Sequence, residues 1–265
     1  MDRPDKDTRR GDTDNGISEW GAETFIGRLH PAERQALLAL GRLTQYRAGE
    51  HLLVEGDRSR FVLVLHGGPV KVVVHASSGG EYLLGLRGRG DLLGELSYLD
   101  GQPRSASVVA LRPVQAGKVC AEQFGIFLEE HSMVGHELSR YVGERLRDAD
   151  RSRLEVSTHD AAFRVTRLLR NLTHGSMTGS VRQWAIIPVT QGQLAQLAHA
   201  AEVTVHRVLR ELKMRRMIRT AYRSIEVPCV ICLDLLLAEM SAERKNGNDL
   251  RGCYGREAHH QRHSR

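Results

Sequence analysis

Two groups of residues in this 265-residue chain have types and spacing suited to chemistry. The first is Gly94-Glu95-Leu96, followed by Arg104-Ser105. Gly94 lets backbone approach a bound group closely, and the N–H groups across Gly94 to Leu96 can cradle a phosphate. Arg104 offers a neutralising charge and a forked donor, Ser105 a hydroxyl or backbone donor, and Glu95 an acceptor for a sugar hydroxyl. A plainer outcome stays open, in which Glu95 and Arg104 pair with each other around an empty fold. The second group is Thr204, His206, Arg207, Arg210 and Glu211, with Lys213, Arg215, Arg216 and Arg219 beyond. Such an array can fork onto guanine O6 and N7 or neutralise phosphates. It can also be the solvated face of an ordinary helical hairpin. The net charge of +6 fits a polyanionic partner, although charge bears on association and not on fold.

Other chemistry is weaker. Cys229 and Cys232 form a C-x₂-C pair inside an apolar run read as a strand, which favours buried structural cysteines over a metal or redox site. Cys120 and Cys253 are too scattered to add a disulfide framework. Of the thirteen histidines, His259, His260 and His263 fall in the expected tail and the others show no ligand pair at helical or strand spacing, so no metal is expected. No nucleophile elbow, Walker loop or paired catalytic carboxylates appear, and the chain is read as a non-enzyme. Charged first residues and the lack of a long apolar run point away from a signal peptide or membrane span and toward the cytoplasm.

The elements that must position these groups can be read from periodicity. Between Gln45 and Lys118 short apolar runs alternate with glycine-rich turns, the signature of an all-β barrel or jelly roll. Pro31 to Leu40 is a short helix with proline in its first turn. From Ala121 to Ala185 there is no proline, and Ser132 to Thr158 reads as one long helix. Leu138, Val142, Ala149 and Val156 form an a/d-like stripe interrupted by Arg145 and Ser152, which suits a broken two-stranded seam or packing on the helix's own domain. Thr190 with Gln193 is a capping box, and Leu194, Leu197 and Ala198 give the helix that follows an apolar face. After about four residues, Val205, Val208, Leu209 and Leu212 recur at helical spacing. Ile218 to Val227 reads as a hairpin with Tyr222-Arg223-Ser224 near its tip, a wing. Two short helices and a wing present the second helix to a major groove.

The order of parts from Gly21 to Met240 resembles the CRP/FNR family of cyclic-AMP-receptor-like transcription regulators. Gly90-Asp91-Leu92-Leu93-Gly94-Glu95-Leu96, continuing to Gln102-Pro103-Arg104-Ser105-Ala106, is similar to that family's phosphate-binding cassette. The resemblance implies an effector pocket of Gly94, Glu95, Leu96, Arg104 and Ser105. Asp150 joins them because the places of the family's adenine-contacting hydroxyls hold Ala149 and Asp150. It also implies DNA contacts from Thr190, Gln191, Thr204, His206, Arg207, Arg210 and Arg223. The helix departs from the family core, with Glu202-Val203 ahead of Thr204-Val205, and His199 stands at the turn where glycine is usual, so positive φ is expected there.

The resulting expectation is an α+β protein: an amino-terminal β-roll (jelly-roll, cyclic-nucleotide-binding-like) joined by a long dimerisation helix to a carboxy-terminal winged helix-turn-helix. The divisions are a disordered tail at 1–16, the β-roll at 17–131, the dimer helix at 132–158, the winged domain at 159–243 and a basic disordered tail at 244–265. The function expected is a homodimeric regulator of double-stranded DNA, controlled by a cyclic nucleotide (cAMP or cGMP), with no required cofactor and RNA polymerase as a further partner. The alternatives are a roll that is ligand-free or tuned to another effector, a nucleotide sensor acting through protein partners, and, argued against by the missing ligands, a cupin-like metalloenzyme.

Overall fold

The computed structural model describes residues 20–76, 79–174 and 185–254. Two helices open it, α1 (Phe25–Arg28) and α2 (Pro31–Leu40). Strands β1 (Arg42–Tyr46), β2 (His51–Leu53), β3 (Phe61–Gly67), β4 (Val70–His75), β5 (Glu81–Arg87) and β6 (Leu92–Leu93) follow. Helix α3 (Glu95–Asp100) leads to β7 (Ser107–Ala110) and β8 (Val114–Cys120). The eight strands make two four-stranded antiparallel sheets, β1-β8-β3-β6 and β2-β7-β4-β5.

Strand β3 explains why the sheets face each other. Its side chains alternate, so Leu63 and Leu65 enter the space between the sheets with Leu52, Val70 and Val108. Val62 and Val64 point the other way, onto Phe25, Phe124 and Leu138 of the helices. A strand covered on both faces reads as a continuous apolar run, and Val62 to Leu65 are all buried.

Helices α4 (Ala121–Glu130), α5 (Ser132–Thr158) and α6 (Ala161–His174) come next. The first half of α5 belongs to the roll: Val134, Leu138 and Tyr141 lie in its core and Val142 packs against it. Leu138 and Val142 are therefore not free for a seam between two helices. The large apolar side chains left open on the second half are Leu146, Leu154 and Val156, at 62%, 63% and 44% exposure.

The last region contains β9 (Ala185–Ile187), α7 (Gln191–Leu197), α8 (Glu202–Met214), β10 (Arg219–Ala221), β11 (Ser224–Val227) and α9 (Val230–Tyr254). Its sheet runs β10-β11-β9, and the wing turns at Tyr222-Arg223, with Arg223 at φ 51°. Leu169, Ile187, Leu194, Val205, Leu209, Ile218 and Leu233 share one core. Two expectations change here. Cys229 immediately precedes α9 and Cys232 lies in its first turn, so neither is in a strand; Pro228 ends pairing after Val227, and Cys229 Sγ accepts the Cys232 N–H at 3.3 Å. The helix also continues past Arg244 to Tyr254, within the stretch that composition assigns to a tail. The expected tail at 1–16 and the residues past Tyr254 lie outside the described residues. The α+β architecture of β-roll, long helix and winged helix-turn-helix is the one the sequence predicts.

Candidate functional site

The cassette is built around a left-handed backbone. Gly94 has φ 80°, and its carbonyl accepts from Arg104 Nη1 at 3.0 Å. A Cβ at Gly94 would stand 3.1 Å from Arg104 Cζ and 3.2 Å from the Phe61 carbonyl oxygen, so glycine is required on two grounds. Arg104 is buried, and it also donates from Nη2 to the Phe61 carbonyl at 2.6 Å and from Nε to Ser59 Oγ at 3.4 Å. Burial pushes this guanidinium below its ordinary range, while the carboxylates of Asp57 and Glu95 oppose that. It is a cation held ready by neutral acceptors.

Glu95 opens α3 and is buried, but it does not pair with Arg104. Its carboxylate accepts from Arg145 Nη1, on α5, at 2.8 Å. Arg145 also faces Asp91 at 3.4 Å and donates to the Tyr141 hydroxyl. Tyr141 in turn donates to Asp91 at 2.7 Å, and Asp91 accepts the Gly88 N–H at 2.9 Å. Burial, then the neighbouring Asp91 charge, drives the Tyr141 phenol far above the usual range, so it stays a donor. For Arg145, burial alone would lower the affinity for its proton; the oxygens of Tyr141, Glu95 and Asp91 more than offset this. The pocket wall is thus tied to the helix that leads to the winged domain.

The structure brings Gly94, Glu95 and Arg104 together. Leu96 and Ser105 adjoin them in sequence but are exposed. Asp150 is exposed, pairs with Arg153 at 3.5 Å, and makes no hydrogen bond or ion pair with the cassette among the described residues. Sequence reading missed Arg145 as a site residue, although a charge at an apolar-stripe position was the available signal. Asp91 and Tyr141 carried no such mark.

In the winged region Thr190 caps α7. Its hydroxyl accepts the Gln193 N–H at 3.2 Å, and Gln193 Oε1 accepts the Thr190 N–H at 3.0 Å. The turn places His199 at φ 47°, held by Arg164, which donates to the carbonyls of Ala198 at 2.9 Å and His199 at 3.0 Å. Helix α8 buries Val205, Val208, Leu209 and Leu212 and exposes His206, Arg207, Arg210 and Glu211, with Thr204 half-buried. Arg207 and Arg210 have no carboxylate partner among the described residues. Arg223 is exposed at the wing turn, and Gln191 is half-buried in the first turn of α7.

The two regions touch. The Gln196 side chain on α7 accepts the Leu83 N–H at 3.2 Å and donates to the Glu81 carbonyl at 3.4 Å, so it pairs with the open edge of β5 as a strand would. Leu197 packs beside Val73, Leu83 and Val109. A cavity of about 210 Å³ lies between Leu111 and Arg112 of the roll and Thr190, Gln193 and Arg223 of the winged region. No helix of the described residues is long and apolar enough to cross a membrane, and none of their side chains form a metal-binding group.

A roll with this cassette, joined by a long helix to a winged helix-turn-helix, defines an effector-sensing DNA-binding regulator. Residues 43–131 match the cyclic nucleotide-binding domain, and residues 163–230 match the Crp-like helix-turn-helix domain. The chain is 28% identical to the cyclic AMP receptor protein of Thermus thermophilus, over 78% of this chain and 93% of that one. It is 26% identical to a CRP-like cAMP-activated global transcriptional regulator of Mycobacterium tuberculosis, over 75% and 91%. In fold it is similar to FixK2 from Bradyrhizobium japonicum, with a TM-score of 0.63 and 18% identity over 74% of this chain and 96% of that one. The chain belongs to the CRP/FNR family of transcription regulators.

Proposed function

We propose that the chain acts as a homodimer that reads double-stranded DNA with α8 and the wing, under control of a cyclic nucleotide in the β-roll. Gly94 and Arg104 hold the phosphate, and Glu95 takes a ribose hydroxyl; Leu96 and Ser105 lie beside them. Thr204, His206, Arg207 and Arg210 face the bases and phosphates, while Thr190, Gln191 and Arg223 flank them. Dimerisation uses the second half of α5, where Leu146, Leu154 and Val156 lack cover. The working setting is the cytoplasm, RNA polymerase is a further partner, and no catalytic step is assigned.

One observation carries the reading: Arg145 links Glu95 in the cassette to α5, the helix leading toward the reading domain. A ribose hydroxyl competing for Glu95 changes that link, and with it the balance between two arrangements of the winged region. The relatives named for cyclic AMP support a nucleotide over other effectors. A second reading, a roll that works without ligand, is favoured by the same contact, because Arg145 already satisfies Glu95.

Mobility shifts on selected operators at several salt concentrations, with and without cyclic AMP and cyclic GMP, test both halves. Arg207→Ala is expected to weaken binding and relax sequence preference, and Arg104→Ala to abolish the nucleotide response. An unchanged preference in Arg207→Ala removes α8 as the reader. No binding of nucleotide by the wild type at millimolar concentration leaves the ligand-free reading.

A further inference from the structure

Arg87, at the end of β5, is a cation without an assigned task. It pairs across the sheet with Val70, and Gly85 pairs with Val72. Val70 is in the core between the sheets and Val72 packs on it, so Arg87 and Gly85 point into the roll, because directly paired residues share a face. Gly85 makes room: a Cβ there would lie 2.8 Å from Arg87 Nη1. Arg87 donates from Nη1 to the Leu86 carbonyl at 2.7 Å, its one hydrogen bond among the described residues. Its Nε is buried without a partner. Buried polar groups are nearly always paired, so an unpaired guanidinium edge inside a ligand-binding domain points to a missing acceptor.

The neighbours narrow the acceptor's nature. Burial first, and then the like charge of Arg145, disfavour the Arg87 cation, while Asp91 and Glu95 are close enough to favour it. Arg145 already bridges those two carboxylates. A second ligand phosphate beside Arg87 would meet both of them. A neutral edge with two acceptors would not. Arg104, which donates to Phe61 and Ser59, and Arg87 both lie within reach of the Glu95 charge, so one ligand can meet Arg104 with its phosphate and Arg87 with a second edge.

We infer that Arg87 recognises the O6 and N7 edge of a guanine base, so that the roll prefers a cyclic guanine nucleotide to cyclic AMP. Adenine keeps the N7 acceptor but puts an amino donor where guanine has O6, and two donors then face each other. This rests on the roll being a nucleotide pocket.

Calorimetry on the full chain with cyclic GMP, cyclic di-GMP and cyclic AMP tests it in wild type, Arg87→Leu and Arg87→Lys. At least one guanine ligand is expected to bind wild type on the order of tenfold or more tighter than cyclic AMP. Arg87→Leu is expected to bind without that preference and, free of ligand, to melt higher because an unpaired buried cation is gone. Arg87→Lys, which keeps the charge and loses the fork, guards against a folding defect and is expected to lose the preference too. The tighter of the two guanine ligands identifies a mononucleotide or dinucleotide source. Equal or tighter binding of cyclic AMP by wild type, or a preference surviving in both variants, overturns the inference and leaves the nucleotide-sensor reading intact. No binding of any of the three by wild type overturns both.

Discussion

Arg145→Ala isolates the contact that joins the cassette to α5. The substitution removes the guanidinium 2.8 Å from Glu95 and 3.4 Å from Asp91. Asp91 keeps the Tyr141 hydroxyl at 2.7 Å and the Gly88 N–H at 2.9 Å, so it loses little. Glu95, with a side chain only 8% exposed, loses its one ion-pair partner among the described residues. Breaking one side of a buried pair costs about 3–5 kcal/mol, and the 23% exposure of Arg145 places this case near about 3 kcal/mol. With a urea slope of about 2 kcal/mol/M, the unfolding midpoint falls by about 1.5 M. Trp20 lies in the same apolar cluster as Tyr141, so tryptophan fluorescence follows the transition. Adding Glu95→Gln to Arg145→Ala removes the orphaned charge and is expected to recover about 1–2 kcal/mol. A loss under about 1 kcal/mol in the single variant, or no recovery in the double, refutes the view that Arg145 is there to hold Glu95.

Further outcomes follow from single contacts. Thr190→Ala removes the cap of α7 and is expected to cost about 1 kcal/mol by thermal melting, with Thr190→Ser close to wild type. Gln196→Ala frees the β5 edge and weakens docking of the winged region on the roll by about 1 kcal/mol, read as faster amide exchange at Leu83. His66 has a buried, unpaired Nε2, and burial, then the charge of Arg89, holds its pKa below the ordinary histidine value. The folded state therefore resists protonation. Stability from this site is full above about pH 6.5 and is lost as pH falls through the lower folded value. His66→Gln should flatten that acid limb in melting curves, and an unchanged slope would show that other groups set it.

Features legible in the sequence were those decided within one turn or one strand. The Thr190–Gln193 box forms because both partners lie in one helical turn, and it needs nothing from the rest of the chain. His199 takes positive φ because two helices this close leave the backbone no other route, and Arg164, from α6, then holds its carbonyl. The apolar run of β3 was readable as a strand of the roll, while its cover on both faces and the left-handed backbone of Gly94 came from the structure. The family order of parts was readable for the same reason.

The tertiary structure alone decided which side chains meet. Arg145 and Glu95 are fifty residues apart, and nothing local distinguishes a charge that interrupts a helix stripe from one that seeks a buried carboxylate. Arg87 looks like the polar end of a strand until its register with Val70 turns it inward. Leu138 has the spacing of a seam residue, but the roll's own core reaches it first. Asp150 has the alignment of a pocket residue, yet it stands exposed and pairs with Arg153 along its own helix. Periodicity fixes a residue's face relative to its own element; only packing decides what that face meets, because burial and charge pairing are set by neighbours distant in the chain.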